Sequence, residues 1–384
     1  MTHPPALRLT RLTLTDFRNY AGLRLDCCVA LVALTGPNGA GKTNLLEAIS
    51  LLAPGRGLRG AGFDELARQD GAAAWAIAAE IATPDGPTSL GTAWSGQGEA
   101  GDSQGRLVVI DGLVRKSSGS LGQYLRLLWL TPAMDRLFAG PASDRRRFLD
   151  RLVQAFDPEH GSRVLVFEKV MRERNLLLEE KHPDNAWLAS LEAHMAEAAV
   201  AIAAARLAAI EALQGHIDAA RETSAFPWGA IAVEGEIEAL VAIMPAVRAE
   251  DEYRRLLGDS RGSDRAAGRT LRGIHRSDLN VRHGPKDMAA GLCSTGEQKA
   301  LLIALILAQA RAVKELSGMA PVLLLDEVAA HLDRPRRQGL LTALAALGCQ
   351  AWMTGTDEEL FVGLGADAAV FHVEAGTVGE VKRS

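Results

Sequence analysis

The chain is poor in residues that several function classes require. Aromatic residues are only 5% of its 384 positions, with 9 Phe, 6 Trp and 3 Tyr, too few for a long single-stranded nucleic-acid groove built on base-stacking platforms. It has four cysteines, Cys27, Cys28, Cys293 and Cys349. No two stand at C-x-x-C spacing, which excludes the common zinc frameworks, and the sparse thiols fit a reducing cytoplasm. Positive charge is not in excess: 42 Lys and Arg face 47 Asp and Glu, a formal net charge of −5. Any binding to nucleic acid or anionic lipid must therefore come from local patches. Long apolar runs are missing too. Leu301–Ala308 amounts to about two helical turns and is too short to span a bilayer. The opening MTHPPALRLT lacks the basic-then-apolar order of a signal peptide. These absences predict a soluble, cytoplasmic protein without membrane partners.

What is present is an ordinary globular balance, 48% hydrophobic and 23% charged, with apolar mass for a sizeable core. The length predicts two to three domains at roughly 150 residues each, or one large discontinuous one. Residues 7–14 alternate apolar and polar, the period of a half-buried strand, and 28–35 form an apolar run followed by a glycine-rich turn and a helical pattern over 42–52. Residues 75–110 read as a three-stranded meander with a hairpin tip at 96–105. From about 122 to 221 the pattern is almost wholly helical. Ser143 is the expected N-cap of a helix through DRRRFLDRLVQAF, and two longer helices are expected over 159–181 and 186–222, broken at Pro183. A two-helix arm and a plain bundle fit this stretch equally. Residues 226–245 are ambiguous, and 258–270 read as a polar loop. Strand character returns at 279–282, followed by a helix over 295–315, a strand over 321–325, a helix over 335–347 and a strand over 350–354.

The strongest chemical signal is Gly36-Pro37-Asn38-Gly39-Ala40-Gly41-Lys42-Thr43, a G-x-x-x-x-G-K-[ST] loop between an apolar strand and a helix. Its glycines allow backbone N–H groups to wrap a phosphate, and the helix beginning at Lys42 adds its N-terminal partial charge. Lys42 is expected to reach the β- and γ-phosphates of ATP, and the Thr43 hydroxyl to ligate Mg²⁺. The second signal is the strand Val322–Leu325 ending in Asp326-Glu327. It puts two carboxylates at a strand's C-terminal edge, where α/β sheets bind ligands. Asp326 is expected to hold Mg²⁺ and Glu327 to orient the attacking water, making Glu327 and Lys42 the catalytic candidates. The third is Ser294-Thr295-Gly296-Glu297-Gln298-Lys299 at a helix start. Alone it reads as an N-cap with a capping-box partner. Ahead of an Asp-Glu strand it matches the signature with which ABC-class ATPases contact the γ-phosphate held by the opposite subunit. Ser294, Gly296 and Gln298 are then nucleotide contacts, as is Asp333 in the D-loop-like His331-Leu332-Asp333.

Taken together, LRLTRLTLTDFRNY, GPNGAGKTN, TPAMDRLFAGPASDRRRFLD, GIHRSDL, CSTGEQK and LLLDEVAAHLD occur in one order and resemble the RecF family of bacterial replication and repair proteins. DFRNY, the Arg-rich FLD block and HRSDL are the more specific markers. The resemblance implies an ABC/SMC-type ATPase head with a helical lobe. It also implies action at single-strand gaps or junctions, as an ATP-sandwiched homodimer, with RecR and RecO as partners and RecA loaded indirectly. The chain departs from the family at Ile274, where proline is common, and has Met353-Thr354-Gly355-Thr356 where transporter ATPases have a histidine. Thr354 is the candidate γ-phosphate sensor there.

Basic candidates for DNA contact are Arg145, Arg146 and Arg147. A solvated face with ion pairs to Asp144 and Asp150 explains them as well. Residues 261–286 carry seven Arg or Lys against two acids, the most basic stretch in the chain. Arg18-Asn19-Tyr20 either flanks the nucleotide or is a plain turn. The expected fold is α/β: a P-loop NTPase of the ABC/SMC type with a mixed sheet, formed by residues 1–120 and 271–384, with a helical lobe over 121–270. The expected activity is slow, DNA-stimulated hydrolysis of ATP. An ABC transporter ATPase would need an LSGGQ-like signature and a switch histidine. An SMC-like tether would need long heptad arms.

Overall fold

The structure, a computed structural model, describes residues 7–96, 105–329 and 332–381. Most of the hairpin tip expected at 96–105 lies outside the described residues, as does His331. The chain forms two compact units. The first comprises residues 1–135, 222–226 and 302–384, and the second 136–221 and 227–301. The divisions thus fall at 135 and within a long helix after 301 rather than at 120 and 270. The signature residues 294–299 consequently belong to the helical unit.

The first unit contains two six-stranded sheets. In one, β1 (Arg8–Phe17), β2 (Tyr20–Asp26), β4 (Trp75–Thr83), β5 (Gly86–Trp94), β6 (Arg106–Ile110) and β7 (Leu113–Arg115) run antiparallel in the order β2-β1-β4-β5-β6-β7. The meander expected over 75–110 is β4–β6. The other sheet has β3 (Leu31–Thr35), β8 (Leu127–Leu130), β12 (Val322–Leu325), β13 (Ala351–Thr354), β14 (Ala368–Glu374) and β15 (Thr377–Glu380), in the order β15-β14-β3-β13-β12-β8. All neighbouring pairs are parallel except β14 with β15. Strands β3, β8, β12 and β13 are buried at every position, which is why they read as unbroken apolar runs rather than alternating ones. The helices α1 (Lys42–Ser50) and α8 (Arg334–Leu347) belong to this unit, with the later part of α7 (Thr295–Ser317). Buried Gln350 joins the sheets: its amide accepts from Leu9 N at 2.9 Å and donates to Leu9 O at 3.0 Å and Val29 O at 3.1 Å.

The second unit is built on α2 (Ala142–Gln154), α3 (His160–Glu179), α4 (Asn185–Ala219), α5 (Glu236–Ile243) and α6 (Ala246–Ala267). They are joined by a small antiparallel sheet of β9 (Gly229–Glu234), β10 (Asp278–His283) and β11 (Met288–Ala289). Pro141 rather than Ser143 occupies the N-cap of α2, with an extended backbone and no side-chain cap, so the helix begins one residue before Ser143. Asp184 caps α4, accepting from Ala186 N and Trp187 N at 2.8 and 3.2 Å. The 35 residues of α4 exploit the helix preference of alanine and bury Ala196, Ala199 and Ala203 in the core with Phe167, Tyr253 and Leu257. The polar loop expected at 258–270 is instead the last part of α6. Its buried stripe is Ala249, Tyr253, Leu257, Ser260 and Asp264, helical in spacing but polar at its end.

Two buried arginines answer that polarity. Arg174 of α3 reaches Glu192 at 3.0 Å, Asp264 at 2.8 Å, Thr270 Oγ1 at 3.0 Å and Leu257 O at 2.8 Å. Arg206 of α4 binds both oxygens of Asp150, at 2.9 and 3.0 Å, Glu238 at 2.8 Å and Ile274 O at 3.0 Å. Ser277 donates to Glu238 at 2.7 Å. The FLD block of α2 and the GIHRSDL stretch that leads into β10 are thereby tied to one guanidinium. Removing that guanidinium leaves Glu238 with only the Ser277 hydroxyl and Asp150 with only the His160 ring, and breaking such a network costs about 3–5 kcal/mol. Arg206→Met is therefore expected to lower the urea midpoint of the helical unit's transition, and adding Asp150→Asn and Glu238→Gln to recover part of it. A single mutant with an unshifted midpoint would contradict this assignment.

Candidate nucleotide-binding and signature sites

The glycine-rich loop links β3 to α1 at the C-terminal edge of the parallel strands. Its glycines have separate reasons. Gly36 has φ +136°, and a Cβ there would lie 2.2 Å from Val373 O; Gly41 has φ +115°, and its Cβ would lie 2.5 Å from Asn19 Nδ2. Gly39, at φ +80°, has open space where a Cβ would be, so there the backbone conformation alone calls for glycine. Pro37, Asn38 and Gly39 are exposed, whereas Gly36, Ala40, Gly41 and Lys42 are buried. The Lys42 ammonium donates to Gly36 O at 2.6 Å and Pro37 O at 2.8 Å, bridging the loop it belongs to. Burial pulls its pKa down, while Glu327 and then Asp326 oppose that shift.

The β1–β2 hairpin supports the loop from the side. Arg18 grips buried Glu47 of α1 with two hydrogen bonds of 2.9 Å. Asn19 Nδ2 donates to Ala40 O at 3.0 Å and its Oδ1 accepts from Asn44 at 2.8 Å; the Tyr20 hydroxyl donates to Gly41 O at 3.0 Å. The DFRNY motif is thus a turn whose side chains brace the phosphate loop, a role that sequence spacing alone did not reveal.

Asp326 ends β12 and is buried. Its Oδ1 accepts from Thr43 Oγ1 at 2.9 Å and from Thr354 Oγ1 at 2.8 Å. Thr354, at the end of β13, also accepts the Glu327 backbone N–H at 2.8 Å. Glu327 has φ +52°, an uncommon conformation for a non-glycine residue that persists where surroundings over-determine it. Thr354 therefore fixes the carboxylate that faces Thr43 and the backbone carrying Glu327. Thr43 and Asp326 present hard oxygen donors side by side. No group of three or more His, Cys, Asp or Glu able to hold a metal occurs among the described residues. One carboxylate and one hydroxyl suit Mg²⁺, which takes few protein ligands and completes its shell with phosphate and water.

Asp333 is exposed and caps α8, accepting from Arg336 N at 2.8 Å. In the second unit, Ser294, Thr295 and Gly296 are exposed at the start of α7, and a Cβ at Gly296 would meet nothing within 4 Å. Gln298, expected to reach nucleotide, is buried, and its amide donates to Cys293 O at 2.9 Å, holding the signature turn from within.

The arginine triplet divides. Arg145 forms two bonds with Asp278, of 2.7 and 2.6 Å, and Arg146 donates to Ser277 O at 2.7 Å. Arg147 is 79% exposed and pairs with Asp144. Neither of the first two pairs with the neighbours expected, Asp144 and Asp150, because the HRSDL stretch packs against α2. Arg276 of that stretch is exposed. No described helix is long and apolar enough to cross a membrane.

Comparison with known proteins extends along the whole chain. The family described as RecF/RecN/SMC N terminal domain matches residues 8–378. The DNA replication and repair protein RecF of Mesorhizobium japonicum is 53% identical over 377 residues, 98% of each chain. That of Brucella suis is 51% identical over 374 residues, 97% of this chain and 96% of the other. A solved structure of the recombination mediator protein RecF-ATPrS in the RecFOR pathway superposes with a TM-score of 0.85 over 100% of both chains at 23% identity, a likeness of fold.

Thr354 generates a test. Thr354→Val removes the acceptor for the Glu327 amide and one donor to Asp326. Losing a partner that orients a metal ligand typically costs 10–100-fold. The variant is expected to lose roughly that factor in kcat for ATP with a smaller change in KM. Unchanged steady-state kinetics would show that Thr354 is only a core residue.

Proposed function

Because this chain belongs to the RecF family of DNA replication and repair proteins, whose head is of the ABC/SMC ATPase type, we propose that it binds Mg-ATP at the β3–α1 loop, hydrolyses it slowly, and uses the bound state to hold DNA. The observation that carries this reading is the meeting of Thr43, Asp326 and Thr354 beside Lys42. In the proposed bound state the loop N–H groups cradle the phosphates, and Lys42 turns from Gly36 O and Pro37 O to the β- and γ-oxygens. Mg²⁺, when bound by Thr43 and Asp326, supplies neutralisation of phosphate charge. Glu327 orients the attacking water. Such catalysis is positioning and charge stabilisation, with no covalent intermediate.

The signature completes the site from a second copy of the chain. Gly in a first helical turn weakens a helix, and the fold leaves space for a side chain at Gly296. The smallness of that residue is therefore better explained by something that approaches from outside. Ser294 and Gly296 would meet the γ-phosphate of the opposite copy and Asp333 the facing loop, two ATP molecules being enclosed by a two-fold dimer. The proposed partners are gapped or junction DNA and the RecR and RecO proteins, with RecA served indirectly. Support for these comes from the relatives' role in replication and repair and from the RecFOR pathway to which the solved relative belongs.

An acidic chain needs gathered cations to hold DNA, because affinity follows neutralised phosphates. Arg147 and, in the basic stretch 261–286, Arg265, Arg269, Arg276 and Arg282 are exposed candidates; Arg145 and Arg146 are engaged inside their unit.

Two outcomes check this reading. Lys42→Met should abolish hydrolysis, whereas Glu327→Gln should retain ATP and remain dimeric in light scattering with saturating Mg-ATP. Undiminished turnover in the first, or a monomer in the second, would count against it. DNA affinity measured by anisotropy should require ATP and fall steeply with salt. Arg147→Glu with Arg276→Glu should lower the salt slope by about one unit per arginine. Binding indifferent to ATP and salt would argue against the DNA assignment.

A further inference from the structure

The signature turn poses an electrostatic problem. A helix N-terminus with exposed Ser294, Thr295 and Gly296 is suited to an anion, yet the third residue after Ser294 is a carboxylate that already occupies it. Glu297 Oε2 accepts from Ser294 N at 3.0 Å and from Ser294 Oγ at 2.8 Å. The serine has one hydroxyl proton, and Glu297 holds it. The carboxyl stays ionised: Lys286 first, then the bonds from Ser294, hold its pKa down at about 2. A phosphate arriving here would meet a permanent negative charge and an engaged donor.

Lys286 stands against that charge, in an ion pair with Glu297 Oε1 while its side chain is half exposed. Its placement is built into the fold. Strand β10 leaves the HRSDL stretch and ends at His283, whose ring accepts the Lys286 backbone N–H at 3.3 Å, and Pro285 in the following turn limits the backbone. Asp287, the other acid nearby, is turned away by a left-handed backbone, φ +47°, and pairs with Arg282 at 2.8 Å. All of these residues belong to the second unit.

We propose that Lys286 is the positioning residue that makes the signature turn able to accept a phosphate. It pairs with Glu297 through Oε1, leaving Ser294 on Oε2, so that the carboxylate stays neutralised when the serine hydroxyl turns to a γ-phosphate oxygen of a nucleoside triphosphate held by a second copy. This rests on the sandwich-dimer reading of the preceding subsection. The charges decide the outcome. With Lys286 the Glu297 charge is balanced by an ion pair, and the exposed N–H groups and helix partial charge dominate. Without Lys286 a carboxylate remains near the incoming phosphate, at a distance where like charges oppose each other even at the protein surface.

The experiment is a double-mutant cycle in the Glu327→Gln background, read as the dissociation constant of the Mg-ATP dimer by sedimentation or light scattering. Lys286→Met should weaken the dimer about tenfold, since two sites each lose a charge at a helix terminus. Lys286→Arg should retain it. Glu297→Gln alone should not weaken it, and Glu297→Gln combined with Lys286→Met should bring it back to within about threefold of the parent. ATP affinity of the Lys286→Met monomer should be unchanged, because the nucleotide loop is in the other unit. If the pair only ties two loops together, both single variants and the double lose equally, and the proposal is overturned. An unweakened Lys286→Met dimer overturns it too. A parent that stays monomeric in Mg-ATP removes the sandwich reading itself, and this proposal with it, a result distinguishable because it precedes any change at Lys286.

Discussion

One carboxylate oxygen receives hydroxyl groups from two other segments of the chain, and the proposed nucleotide site depends on that convergence. Asp326 Oδ1 is within 2.9 Å of Thr43 Oγ1 and 2.8 Å of Thr354 Oγ1. It exists because β3, β13 and β12 are parallel neighbours, with Thr354 opposite Leu34 and Leu325 opposite Met353, so that all three strands deliver their ends to one edge. A carboxylate buried there without donors would be costly. Two hydroxyl donors satisfy it within the first unit while leaving oxygens that a hard cation can share. The next strand, β14, bounds the loop at Gly36, where only the absence of a Cβ lets the chain pass Val373 O.

The second unit solves a different problem with the same means. Its helices bury charges, Arg174 with Glu192 and Asp264, Arg206 with Asp150 and Glu238. Such networks add little net stability over an apolar core but are destabilising to break. Their effect here is to fix the HRSDL stretch against α2 through Ile274 O, Ser277 and Asp278. From that fixed stretch β10 runs to His283, and the turn after it carries Lys286 toward the signature. The FLD block and HRSDL, which look unrelated in sequence, are therefore parts of one arrangement that leads to the signature turn.

The sequence exposed what is local. The loop 36–43 and the Asp326-Glu327 strand were legible because contiguous residue types at fixed spacing carry their chemistry, and the buried strands because apolar runs of that length have few alternatives. Contacts across long sequence separations were not legible. Gln350 bonding to Leu9, or Asn19 bonding to Ala40, leaves no periodic trace. The end of α6 was hidden because its buried stripe finishes in Ser260 and Asp264, residues that read as surface until Arg174 is placed beside them. The arginine triplet read as one patch because adjacent residues share a sequence position but not a helix face: Arg145 turns inward to Asp278 and Arg147 outward. The domain limits were misplaced for a related reason, since α7 is continuous in sequence while its first turns belong to one unit and its remainder to the other.

In the proposed bound state Asp326, placed by Thr43 and Thr354, is where a magnesium ion joins ATP to this fold. The most direct measurement is calorimetric titration of ATP into the wild-type chain and into Asp326→Asn, each with Mg²⁺ and with a chelator. Mg²⁺ is expected to strengthen ATP binding at least tenfold in the wild type and to leave Asp326→Asn nearly indifferent, as loss of the carboxylate proposed to hold a weakly bound hard cation requires. An equal magnesium dependence in both proteins would contradict it.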